Sequence, residues 1–156
     1  MNALASGFVG AAALTAVHQV GRRVIPDPPR MDIVGMRALE RLLRFAGIEA
    51  PEPPRLYNLT MAGDLLSNGV YYSAVGRGDE AWPRAVLLGL AAGIGAVALP
   101  EPLGLGKPPH VERLRTKLLT VAWYLTGALV AAAVARGGAP RRERSRSREA
   151  AGRPAA

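Results

Sequence analysis

No cysteine occurs among the 156 residues, which removes disulfides, thiolate metal sites and thiol nucleophiles in one step. Lysine is nearly missing as well, with two residues, so arginine supplies eighteen of the twenty basic side chains. Aromatic residues make up 5% of the chain, and histidine stands only at His18 and His110. No HExxH, GxxxxGK[ST] or GxGxxG motif and no Ser-His-Asp arrangement is present; Gly104-Leu105-Gly106-Lys107 has neither the spacing of a phosphate loop nor a strand before it. The reading leans away from an enzyme and nominates no catalytic residue, no metal ligand set and no cofactor.

Charge is missing in long blocks. Met1 to Gly21 and Leu118 to Ala135 carry none, Ala85 to Pro100 carries none, and Leu56 to Gly76 carries only Asp64. A helix needs roughly 20 apolar residues to cross a hydrocarbon core, and these blocks approach that length. A soluble bundle would show a charged face on each helix. Between Ala3 and Val17 the polar side chains are Ser6 and Thr15 alone, and Leu118 to Ala135 offers Thr120, Thr126 and the tips of Trp123 and Tyr124. The expectation is therefore an all-α integral membrane helical bundle over residues 1–135, with four helices at membrane depth near 3–20, 56–76, 84–103 and 118–135; three spans are the alternative. The first block has no basic residue before it and Arg22-Arg23 after it, so it reads as a permanent helix rather than a cleaved signal.

Between the first two blocks, Pro26, Pro28 and Pro29 make a stiff linker. Asp32 follows as an N-cap and Gly47 as a stop, bracketing an amphipathic helix at 33–46. Ile33, Met36, Leu39, Leu42, Leu43 and Ala46 share one face, while Arg37, Glu40, Arg41 and Arg44 take the other. Two placements suit it. It lies on anionic headgroups, with Arg22, Arg23, Arg37, Arg41 and Arg44 as the lipid contacts, or it packs on another part of the protein or a partner. Residues 136–156, rich in Arg, Ser, Gly and Pro, read as a disordered basic tail. Its Arg-Ser run resembles segments that touch polyanions; anionic lipid is the nearer polyanion, and nucleic acid is set aside. The bias to arginine, with much alanine, glycine and proline, points to a GC-rich bacterial gene and so to a bacterial cytoplasmic membrane.

The positive-inside rule favours three spans with a cytoplasmic tail, whereas the length and aromatic ends of the second block favour four. With four spans, eleven basic residues fall in the two loops on one side and nine on the other side; with three, omitting the second block, the split is sixteen to four. That second block holds the sharpest candidate site. Tyr57, Thr60, Asp64, Ser67, Asn68 and Tyr71 recur at three or four residues and line one helix face. An ionisable group at membrane depth is a functional hypothesis by default, so Asp64 is either a cation or proton site or part of a satisfied polar seam. His18 is a candidate titratable or ligand residue, though it lies nearer one end of its helix than Asp64 does. Gly89 and Gly93 form a GxxxG spacing suited to close helix packing. Two functions follow: a structural or accessory membrane protein packing with itself or a larger complex, or a small transporter or channel with a polar pathway along the Asp64 face.

Overall fold

The computed structural model describes residues 2–137. Its described residues form five helices: α1 (Ala3–Val24), α2 (Met31–Phe45), α3 (Pro53–Ser73), α4 (Ala81–Ala98) and α5 (Leu114–Gly137). The architecture is the expected all-helical bundle, and α1, α4 and α5 are each long and apolar enough to cross a membrane. Most of the basic tail lies outside the described residues; its first two, Arg136 and Gly137, continue α5.

Helix ends follow local chemistry more closely than the charge-free blocks suggested. Asn2 caps α1 by accepting the Ala5 N–H at 2.8 Å, and α1 runs on through Gly21, Arg22 and Arg23 until the Pro26 region halts it. The helix-final arginines sit where the negative end of the helix dipole favours them. Asp32 is not the N-cap of α2. Arg30 holds that position without a side-chain cap, and Asp32 lies in the first turn. The end of α2 is as expected: Gly47 takes φ 71, its N–H reaches Arg44 O, and the Ile48 N–H reaches Leu43 O, a Schellman closure. α3 starts three residues early because Pro53 and Pro54 fit a first turn, where their missing donors are not needed. α4 is shorter than 84–103: it takes in Trp82 and Pro83 at its start and gives way before Pro100.

Across the bundle the order is α4, α5, α1, α3, with α2 laid on α3. Neighbours in that row are antiparallel. Gly7 of α1 meets Gly69 and Ser73 near the end of α3, while Gln19 and Arg22 of α1 reach Tyr57 near its start. Likewise Gly10 meets Gly127 and Gly21 meets Trp123 along α5. α3 thus lies alongside nearly the whole of α1. The α1–α2 linker, α2 and the α4–α5 loop gather at one end of the bundle; the α3–α4 turn and the outer ends of α1 and α5 lie at the other.

The core is built of small side chains. Ala11, Ala81, Ala85, Ala128, Ala131 and Ala132 are buried around Leu14, Tyr72 and Trp123, whereas Leu87, Leu66 and Ile94 face outward. A soluble protein sorts its large apolar residues the other way. In lipid, small residues at the interface let backbones approach, and dispersion does the holding. Gly89 and Gly93 act as their spacing implied, within the chain: a Cβ on Gly93 would sit 2.6 Å from Val121 Cα, and one on Gly89 2.7 Å from Leu125 Cα.

Candidate functional site

The polar residues of α1, α2 and α3 meet under α2. Asp32, in the first turn of α2, keeps only 7% of its side chain exposed. Arg30 grips both carboxylate oxygens, through Nε and Nη2, at 3.0 Å each. Arg22, arriving from the last turn of α1, lies 3.3 Å from the same group. Bidentate arginine contacts are the strong form of such pairing, and the Asp32 carboxylate raises the Arg30 guanidinium above its ordinary value. Arg22 also donates to the Tyr57 hydroxyl at 3.0 Å, and Gln19 Nε2 donates to it at 2.8 Å. The Arg22 guanidinium sits 5.7 Å from the Tyr57 ring centre, within cation–π range. Three helices are tied together by this one cluster.

Beneath it lies a cavity of about 30 Å³, bordered by Thr15, His18, Gln19, Arg22, Asp32 and Asp64 among others. Its size suits one or two water molecules. Thr15 Oγ1 and His18 Nε2 are buried there with no hydrogen-bond partner. The His18 ring is held edge-on by Trp123 at 4.8 Å and Tyr124 at 6.0 Å. Asp64 accepts from Asn68 Nδ2 at 2.9 Å, one helical turn on. His18 and Asp64 make no mutual hydrogen bond, in keeping with their different depths, yet both border this cavity. In the cluster two arginines, Arg22 and Arg30, share the one carboxylate of Asp32.

The α3 face largely assembles as its spacing implied. Tyr57, Thr60, Asp64, Asn68 and Tyr71 are buried or half-buried, and Tyr71 donates to Leu88 O of α4 at 3.0 Å. Ser67 is the exception. It is exposed and bonds back to Asp64 O at 3.2 Å, because its angular offset from Asp64 carries it round to the outer side. Thr60 satisfies its hydroxyl on Leu56 O at 2.8 Å.

The arginines assigned to lipid divide into two groups. Arg23 is exposed, and Arg44 pairs with Glu40 at 2.9 Å, one turn away. Arg22 is turned inward. Arg37 donates to Leu105 O and Lys107 O at 3.1 and 3.2 Å, and Arg41 to Leu103 O at 2.9 Å. α2 packs on α3 of its own protein, with Arg37 and Arg41 satisfying carbonyls of the α4–α5 loop. His110 sits in that loop, exposed, 3.6 Å from Asp27 and far along the chain from His18.

Asp32 and Arg30 were missed as site residues. Read as a cap, Asp32 already had a use, and only the fold brings Arg22 against it; the three arginines and acids within eleven residues were the one available hint. Among the described residues, no three His, Asp or Glu side chains converge to hold a metal ion. No protein-family model, curated protein or solved structure matches the chain.

Proposed function

We propose that the chain is a multi-pass protein of the bacterial cytoplasmic membrane, with α1, α3, α4 and α5 all crossing. Its role is structural or accessory, packing with itself or with a larger membrane complex. One observation carries this reading: apart from Ser67, the polar face of α3 finds its partners inside the bundle, Tyr57 on Gln19 and Arg22, Asp64 on Asn68, and Tyr71 on Leu88 O. What remains open beside it has the volume of water. A sealed seam of this kind allows a polar helix at membrane depth, since buried polar groups that find partners lose little on leaving water.

Reporter fusions after Arg23, Gly78, Lys107 and Gly137 test the spans. Positions 23 and 107 should report one side, and 78 and 137 the other; the same side for 23 and 78 removes α3 from the membrane and ends the reading.

A second reading, a polar pathway along the Asp64 face, draws on the unpartnered Thr15 Oγ1 and His18 Nε2 beside Asp64. Flux measurements on the purified chain in liposomes separate the two. The accessory reading expects leakage equal to empty liposomes for wild type and for Asp64→Asn; ion-dependent flux that Asp64→Asn abolishes, with the helices intact by circular dichroism, establishes the pathway instead.

A further inference from the structure

A second concavity lies at the same end of the bundle, between α2 and the loop after α4. It is an open groove of about 560 Å³ bordered by Arg37, Arg41, Arg44, Glu40, Phe45 and Leu105. Its single acid, Glu40, is already paired with Arg44, so three guanidinium groups face it against one carboxylate. Arg37 and Arg41 are anchored on loop carbonyls. Each guanidinium carries five N–H donors, more than those carbonyls use. The groove thus presents fixed, partly unfilled donors of one charge. Its rim has the opposite character: Phe45 is 92% exposed. Acyl chains would take that aromatic ring out of water.

We propose that this groove binds the phosphate of an anionic phospholipid, with Arg37, Arg41 and Arg44 as donors and Phe45 against its acyl chains. The proposal rests on the membrane reading above, because that reading puts the ends of α1, α3 and α5, and hence the groove, at headgroup level. Charge complementarity selects an acidic headgroup over a zwitterionic one, and planar guanidinium groups suit phosphate oxygens geometrically. The exposed apolar rim selects a lipid over a free anion.

Native mass spectrometry of the full chain in detergent, titrated with dioleoylphosphatidylglycerol or dioleoylphosphatidylcholine, tests it. Wild type should retain phosphatidylglycerol in preference. Arg44→Gln combined with Phe45→Ser changes two exposed side chains and should weaken retention by about tenfold; Arg37→Gln with Arg41→Gln should weaken it further. Since the latter pair also frees loop carbonyls, circular dichroism must show the helices intact for its loss to count, and the Arg44/Phe45 variant decides otherwise. Excess inorganic phosphate should leave the lipid in place. Equal retention of the two lipids, an unaltered Arg44/Phe45 variant, or displacement by phosphate alone overturns the site. Failure of the underlying reading is seen separately, as a chain that washes off membranes at alkaline pH before any lipid is added.

Discussion

Asp32→Asn keeps the shape of the side chain and removes its charge, leaving Arg22 and Arg30 facing an amide. Asparagine can accept from Arg30 on one oxygen only, so one of two 3.0 Å bonds is lost, and its NH2 group must point at a guanidinium. Breaking a fully buried pair from one side costs about 3–5 kcal/mol. The arginines retain 28% and 34% exposure, which lets water relieve part of the imbalance, and about 2–3 kcal/mol is the expected loss. Unfolding in mixed micelles of increasing denaturing-detergent fraction, followed by the emission of Trp123, measures it; that indole is 6% exposed and packs on His18. Trp82, already 41% exposed, contributes background and is replaced by Phe in all variants. A double-mutant cycle with Arg22→Gln should return a coupling of about 1–2 kcal/mol. A loss below about 0.5 kcal/mol, the range of an ordinary surface pair, would refute the claim that Asp32 fastens α2 to α1.

Other positions make independent checks. Tyr57→Phe removes the acceptor shared by Gln19 and Arg22 and should cost about 1–3 kcal/mol in the same unfolding assay. Gly93→Leu drives a side chain into the Val121 backbone; it should destabilise by about 1–3 kcal/mol or more, and disulfide cross-linking between cysteines placed on α4 and α5 should fall with it. Ser67→Ala, on the outer side of α3, should leave stability within about 0.5 kcal/mol of wild type, whereas Gly35→Ala, whose Cβ would meet Thr60 Cγ2 at 2.7 Å, should destabilise by about 1–3 kcal/mol as α2 is pushed off α3. If Ser67→Ala and Tyr57→Phe cost the same, the division of α3 into an inner and an outer polar side is wrong.

The helices themselves were legible because charge is absent in blocks, a signal that hydrocarbon imposes directly. Their ends were less so. Pro53, Trp82 and Arg22 belong to helices, since proline fits a first turn and arginine a last one, and a window that stops at the first polar residue cuts all three off. Periodicity placed Tyr57, Thr60, Asp64, Asn68 and Tyr71 on one face, but the same rule also admitted Ser67, because spacings of three and four spread over a wide arc when summed. The GxxxG of Gly89 and Gly93 was visible; Gly7, Gly10, Gly69 and Gly127, which do the same work between α1, α3 and α5, were not, since their partners lie on different helices. Asp32 was hidden for the related reason that a carboxylate near a helix start has a local explanation, and only tertiary structure supplies Arg22. That Arg37 and Arg41 of α2 also hold carbonyls of the α4–α5 loop was not legible, because no sequence rule says which loop carbonyls will come within their reach.

The alanine and glycine core has a consequence for how this chain can vary. Outward positions such as Leu87 and Ile94 are more than half exposed, so a residue of similar oil solubility serves there, and drift at those sites should be nearly free. Inside, the limit is on size in one direction only. Adding a methyl group at Gly7 or Gly127 meets backbone or ring atoms, while polarity is admitted, as Ser6 and Thr120 already show. Selection on this protein should therefore act as a ruler on one side of each helix and as a solubility filter on the other.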